Sequence, residues 1–181
     1  MLGYGDNTDT DTEENVYIYA GDGDDEVDIN GGWFSYDIYG GYGNDIFTVN
    51  GGYTHLDDGD KTGDPMVIYG GPGDDVFKQS AESIAKNQDG TQNLSAVTTL
   101  LGGPGNDKFF PFVGIAPDEI NLYGGDGDNK FSGGSGFGTV TVDGGNGTDI
   151  AYGFDMTGIT DGVLDIDLYG GDDTFFGADG G

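Results

Sequence analysis

Nine residues, Gly40-Gly41-Tyr42-Gly43-Asn44-Asp45-Ile46-Phe47-Thr48, set the terms on which this chain can fold. They read as a tight glycine turn, one acidic side chain and a short apolar strand. The phrase returns in full as Gly70-Gly71-Pro72-Gly73-Asp74-Asp75-Val76-Phe77-Lys78 and as Gly102-Gly103-Pro104-Gly105-Asn106-Asp107-Lys108-Phe109-Phe110. Weaker copies run over 20–28, 124–132 and 144–152. A shortened copy begins at Gly170-Gly171-Asp172-Asp173, and Gly3-Tyr4-Gly5-Asp6-Asn7 is a frayed one. Glycine at fixed places marks backbone that takes φ > 0 or lets another group come very close. An Asp beside exposed carbonyls supplies the hard oxygen ligands that Ca²⁺ prefers.

Each phrase follows a short alternating run that ends directly on the glycines, such as Val16-Tyr17-Ile18-Tyr19, Tyr36-Asp37-Ile38-Tyr39 and Ile120-Asn121-Leu122-Tyr123. Period-two alternation with β-branched and aromatic residues predicts strand. A second short strand follows each turn, as in Val27-Asp28-Ile29. The unit is therefore strand, glycine–Asp turn, strand and a second return. With the second glycine as marker, the phrases sit at Gly3, Gly21, Gly41, Gly71, Gly103, Gly125, Gly145 and Gly171, in steps of 18, 20, 30, 32, 22, 20 and 26 residues. Asn30-Gly31-Gly32-Trp33 and Asn50-Gly51-Gly52-Tyr53 read as remnants of a second turn without its Asp. Loop insertions are expected at about 53–65 and 78–97, with a single helical turn at Ser80–Lys86 and a shorter third loop at Pro111–Glu119. No composition break divides residues 1–181 into two domains.

These turns resemble the Gly-Gly-x-Gly-x-Asp repeat of the RTX (hemolysin-type) calcium-binding nonapeptide-repeat family, a parallel β-roll. Three copies match in full and three more with one or two substitutions, over nearly the whole chain. The resemblance implies an all-β, right-handed parallel β-roll, a β-helix solenoid with stacked calcium-binding turns on one side and variable loops on the other. It implies several Ca²⁺ ions, each between two stacked turns. The position-six residues Asp25, Asp45, Asp75, Asp107 and Asp149, with Asp173 in the shortened copy, would carry the side-chain ligation. Asn129 takes that place in one copy and Asn7 in the first; an amide oxygen ligates without charge, so those sites are expected to be weaker or empty. The position-five residues Asp24, Asn44, Asp74, Asn106 and Asp128 are expected to give carbonyls more than side chains. Asp22, Asp126 and Asp172 stand beside them in the turns. The carbonyl-bearing glycines would be Gly21, Gly23, Gly41, Gly43, Gly71, Gly73, Gly103, Gly105, Gly125, Gly127, Gly145, Gly147 and Gly171.

The apolar position-eight residues Val27, Phe47, Phe77, Phe109, Phe131 and Phe175 are expected to stack inward, with Ala151 breaking the ladder. Tyr19, Tyr39, Tyr69, Tyr123 and Tyr169, directly before the glycines, are read as core, because a thin roll needs aromatic area to hold it. An exposed tyrosine stripe that binds polysaccharide is the alternative.

Composition narrows the function. Against 34 Asp and Glu stand 5 lysines and no arginine, a net charge of −29. That excludes nucleic acid and anionic membranes as partners, since both need clustered Lys and Arg. No apolar run can cross a bilayer, and residues 1–20 are not a secretory signal peptide. Without cysteine there is no disulfide and no thiolate chemistry. His55 is the one imidazole, with no Ser or acid placed for a triad. The EF-hand-like start at Asp58-Gly59-Asp60 meets Tyr69 where Glu is needed. No catalytic residue is assigned, and the chain is not read as an enzyme.

The expected behaviour is a chain held open by its own charge until extracellular calcium closes coil upon coil. Both ends read as cut phrases, Met1-Leu2-Gly3 and Ala178-Asp179-Gly180-Gly181. Three roles follow, in this order. The first is a structural or adhesive module of a secreted or cell-surface protein. The second is a subunit that stacks end to end into an extracellular fibre or surface layer. The third is a carbohydrate-binding accessory domain acting through Tyr or Trp33.

Overall fold

The computed structural model describes residues 15–29, 35–50, 66–79, 97–110, 119–134, 139–154 and 163–177. Each segment is one coil: a strand that leads into the glycine turn and a short strand that leaves it. The incoming strands are β1 (Asn15–Asp22), β3 (Ser35–Tyr42), β5 (Met66–Tyr69), β7 (Val97–Pro104), β9 (Glu119–Asp126), β11 (Thr139–Asn146) and β13 (Val163–Asp167). The outgoing ones are β2 (Glu26–Ile29), β4 (Ile46–Val49), β6 (Val76–Gln79), β8 (Lys108–Phe110), β10 (Lys130–Ser132), β12 (Ile150–Tyr152) and β14 (Thr174–Phe176). Odd strands form one seven-stranded sheet and even strands another, both in coil order. Every pairing is parallel. The chain is an all-β parallel solenoid with the architecture of a β-roll, and no helix occurs among the described residues.

Register follows the sequence pattern. In the first sheet Ile18, Ile38, Ile68, Leu100, Leu122, Val142 and Ile166 are directly paired from coil to coil. In the second, Phe47, Phe77 and Phe109 are paired, then Phe131 and Ala151. Alternation turns both columns toward the gap between the sheets. The four phenylalanines are buried and stack with ring centroids 5.1, 4.8 and 4.8 Å apart. That is close to the spacing of adjacent strands, so one ring per coil stacks directly on the next. Val27 is only partly buried. Phe175, expected inward, is 48% exposed in the last described coil. The phenylalanine ladder therefore ends before Ala151.

The reading of the pre-glycine tyrosines as core is overturned. Tyr19 is 71% exposed, Tyr169 and Tyr123 are exposed too, and Tyr39 and Tyr69 are half-buried. The cause is parity: with Ile18, Ile38 and Ile68 facing in, their neighbours must face out. Isoleucine takes the dry face and the phenol keeps its hydroxyl in water. The outward rings stack on one another, Tyr19 on Tyr39 at 4.9 Å and Tyr39 on Tyr69 at 4.7 Å. Leu101 interrupts this column between Tyr69 and Tyr123. Leu101→Tyr is expected to join its two parts and add about 0.5–1 kcal/mol of stability, read as a small rise in midpoint by thermal melting.

Successive turns stay in register although the coils differ in length. Turn side chains bond across separations of 20, 30, 32, 22, 20 and 24 residues. The extra residues all fall between an outgoing strand and the next incoming one. Lys78 and Gln79 belong to β6, so the second insertion begins later than its expected start. The Ser80–Lys86 turn, the Asn30–Trp33 remnant, Gly51–Tyr53, His55, the acidic stretch after it and Asn7 lie outside the described residues.

The last coil corrects the sequence reading. Its separation is 24 rather than 26, because Gly170 bridges Asn146 and the Asp149 amide bonds Asp173. Gly170-Gly171 thus occupy positions three and four of the phrase, not one and two. Nothing is shortened: Leu168 and Tyr169 take the first two positions. Tyr169 adopts the left-handed conformation there (φ 54°) that a glycine takes in every other described coil.

Candidate metal centre

Each turn is shaped by glycines at positions two and four. In the Gly40–Thr48 phrase these are Gly41 (φ 115°) and Gly43 (φ 134°), conformations closed to most side chains. A Cβ on either would also strike a carbonyl of the coil before it, Gly21 or Gly23. Coils can therefore close to hydrogen-bonding distance through their turns, as in Gly43 N–H to Pro72 O at 3.0 Å.

That closeness places the position-six carboxylates in a single column. Asp45, Asp75, Asp107 and Asp149 are fully buried, and Asn129 is buried among them. Each uses Oδ1 to accept the backbone N–H of its counterpart one coil earlier. Asp25 N–H donates to Asp45 (2.9 Å), Asp45 to Asp75 (2.8 Å) and Asp75 to Asp107 (2.8 Å). Asp107 then donates to Asn129 (3.0 Å), Asn129 to Asp149 (2.8 Å) and Asp149 to Asp173 (2.9 Å). A side chain that both caps a turn and joins two coils explains why one position is acidic or amide in every copy.

The second carboxylate oxygen has no such partner. Oδ2 of Asp25, Asp45, Asp75, Asp107 and Asp149 is buried without a hydrogen bond. Burial raises the carboxyls of Asp45 and Asp149, and takes Asp75 to about 6 and Asp107 to about 7, against backbone hydrogen bonds that pull the other way. Buried, orphaned and charged oxygens are costly unless something positive meets them.

What faces Oδ2 is oxygen. A Cβ built on Gly40 would collide with Asp45 Oδ2 and with the Gly70 carbonyl oxygen together. The same holds at Gly70 for Asp75 and Gly102 O, and at Gly102 for Asp107 and Gly124 O. Glycine at position one is thus required by space. Ala20 and Leu168 hold that position in the first and last described coils, where Asp25 and Asp173 are half-buried rather than buried.

Asn129 shows what this cradle accepts. Its Oδ1 is committed to the Asp107 amide, so its Nδ2 occupies the place of the aspartate Oδ2. From there Nδ2 donates to Gly127 O (3.1 Å) and Gly144 O (3.2 Å). One positive-edged group thereby satisfies two carbonyls. The amide's role differs from the expected weak oxygen ligand: nitrogen, not oxygen, faces the cradle.

At Asp45, Asp75 and Asp107 the donor set is carboxylate plus carbonyl oxygen, with no sulfur or imidazole; at Asp149 the Leu168 backbone takes the place of the next glycine. Hard oxygen donors suit Ca²⁺ and fit neither Zn²⁺ nor Cu²⁺ preferences. No three acidic or histidine side chains converge on one point among the described residues. Any ion would be held by few carboxylates and by backbone; the repeat resemblance implies loop carbonyls and one Asp side chain from each of two stacked turns.

Position five forms a second ladder that the sequence did not disclose. Asn44 N–H donates to Asp24 Oδ1, Asp74 to Asn44, Asn106 to Asp74, Asp128 to Asn106 and Thr148 to Asp128, all at 2.8–2.9 Å. It runs opposite to the position-six ladder, each side chain reaching the following coil. These side chains are exposed. Asp and Asn alternate along the column, so no two neighbouring rungs are both charged. Their side chains thus link each coil to the next by hydrogen bonds. At position three, Asp126 accepts the Asn146 side-chain amide (2.8 Å) and Asp22 is exposed; Asp172, which the register of the last coil puts at position five, is exposed too.

Compared with family models, with curated proteins and with solved structures, the chain gives no match.

Proposed function

We propose that the chain is a calcium-binding structural or adhesive repeat module of a secreted or cell-surface protein, which folds and stiffens on meeting extracellular calcium. One observation carries this reading. Buried Oδ2 atoms repeat without a partner along one column, while the one amide in that column is fully bonded. Asp45, Asp75, Asp107 and Asp149 would each hold one ion with the backbone carbonyls around them. A divalent ion supplies positive charge to a carboxylate and carbonyl oxygens that otherwise repel. With −29 of net charge, the ion-free chain opposes its own closure. Weak, extracellular-type sites would stay empty at cytosolic calcium, so folding would report export.

The carbohydrate reading has less to stand on. Sugar stacking uses ring faces, and both faces of Tyr39 are covered, by Tyr19 and by Tyr69.

The test is a calcium titration followed by far-UV circular dichroism and light scattering, with magnesium as control. A cooperative gain of β signal with calcium alone is expected, and calorimetry should count four ions. Asn129→Asp should raise the count to five. A chain with the same β signal and the same melting temperature in chelator as in calcium at neutral pH, or the same response to magnesium, would sink the proposal.

A further inference from the structure

The roll's two outer faces differ in charge in a way the calcium reading does not use. Of five lysines, Lys78, Lys108 and Lys130 are described, and all three stand exposed on the outer face of the second sheet in consecutive coils. Lys108 and Lys130 are directly paired, and Lys78 pairs with Phe110. From β4 to β14 the outward positions of this sheet carry no carboxylate, on a chain with 34 acids. Exposed Phe110, Ile150 and Phe176 lie among them. Lys130 sits over the Tyr152 ring at 5.3 Å, and none of the three ammonium groups has an ion pair among the described residues.

The outer face of the first sheet is its complement. The tyrosine column passes through Leu101 and Tyr123 and ends on acids: Asp143 pairs with Asp167, and Thr141 with Asp165. The Asp143 carboxyl is raised by burial and then by Asp167 beside it. Like charges in register ask for a cation from outside.

We propose that the lysine face of one copy docks on the tyrosine–aspartate face of a second copy. Both faces are parallel sheets with one residue per coil in each column, so their pitches match. In an antiparallel arrangement, Lys130 meets Asp143 and Lys108 meets Asp167. The same register sets Ile150, which follows Lys130 in its column, against Tyr123, and Thr174 against Leu101. The contact is heterologous, since each copy keeps one free face of either kind, and it propagates as a layer of rolls side by side. It rests on the sheet faces rather than on the ion sites. Failure of calcium binding would not remove it.

The test uses the whole chain in calcium, by sedimentation velocity at about 50 mM and about 500 mM salt. The parent should associate at low salt and dissociate at high salt. The double variants Lys108→Glu/Lys130→Glu and Asp143→Lys/Asp167→Lys should each be monomeric with unchanged circular dichroism, and mixing them should restore association. If a reversal variant loses its β signal, Lys108→Gln/Lys130→Gln replaces it with the same expectation of weakened association. A parent that stays monomeric at low salt, a variant that associates like the parent, or a mixture that stays monomeric would each overturn the proposal. So would a parent that remains monomeric yet binds labelled alginate through Lys108 and Lys130, which would give this face to an anionic polymer instead.

Discussion

In chelator at neutral pH, Asp107→Asn is expected to unfold at a higher temperature than the parent chain, and in calcium at a lower one. Without an ion, Asp107 buries a carboxylate whose Oδ2 has no partner. An amide at that place would keep the Oδ1 bond to the Asp75 N–H. Its Nδ2 would turn to the surrounding carbonyls, as Asn129 does one coil on. Removing a buried unpaired group and adding two hydrogen bonds is worth on the order of 2 kcal/mol, a rise of roughly 4–8 °C for a chain this size. In calcium the ion does that work better, and the variant loses one site. Calorimetry should then count three ions instead of four.

Acid gives a second reading of the same physics. In chelator, burial raises Asp75 to about 6 and Asp107 to about 7 from an ordinary 3.8, so the folded chain holds more protons than the unfolded one in between. Stability from these groups is fully present below about pH 4 and is lost as pH rises toward 7. Thermal melts in chelator should therefore improve on acidification from pH 7.5 to 5 by roughly 10 °C. The double variant Asp75→Asn/Asp107→Asn should lose most of that slope. A parent whose apo melting does not change between these pH values, or an Asp107→Asn chain less stable than it in chelator, would mean that the carboxylates are met by something else.

What could be read in the sequence was whatever repeats. The glycines at positions two and four, the alternation of Ile18, Ile38 and Ile68, and the recurring Phe47, Phe77 and Phe109 fix a parallel solenoid, because each rule is local and is restated in every coil. Tyr19 and Tyr39 were misplaced by an energetic argument, aromatic area for the core, when a geometric one decides: a neighbour of an inward isoleucine faces out. Tyr169 was misaligned because Gly170-Gly171 mimics the start of a phrase. Only the pairing of Asp143 with Asp167 and of Asn146 with Gly170 shows where the coil begins. The nitrogen-first orientation of Asn129 and the opposed position-five ladder were out of reach, since each depends on which oxygen a neighbouring coil has already taken.

Gly102→Ala separates space from backbone freedom as the reason for position one. Gly102 is not in the left-handed region, so by conformational entropy alone alanine there would stabilise by about 0.4–1 kcal/mol. Its Cβ, however, falls on Asp107 Oδ2 and the Gly124 carbonyl. Neither can retreat: Asp107 is tied by Oδ1 to the Asp75 amide, and Gly124 lies within β9 between two neighbouring strands. The expected result is a loss on the order of 3 kcal/mol or more, in calcium and in chelator alike, together with one ion fewer by calorimetry. Removing the clashing carboxylate should relieve it. Gly102→Ala/Asp107→Ala is expected to recover part of the stability in chelator, because the two sites share one space and their effects cannot add. The ion would still be missing. A Gly102→Ala chain that melts at or above the parent temperature and still binds four ions would place the glycine requirement in the backbone, and would detach the position-one glycine from the metal site altogether.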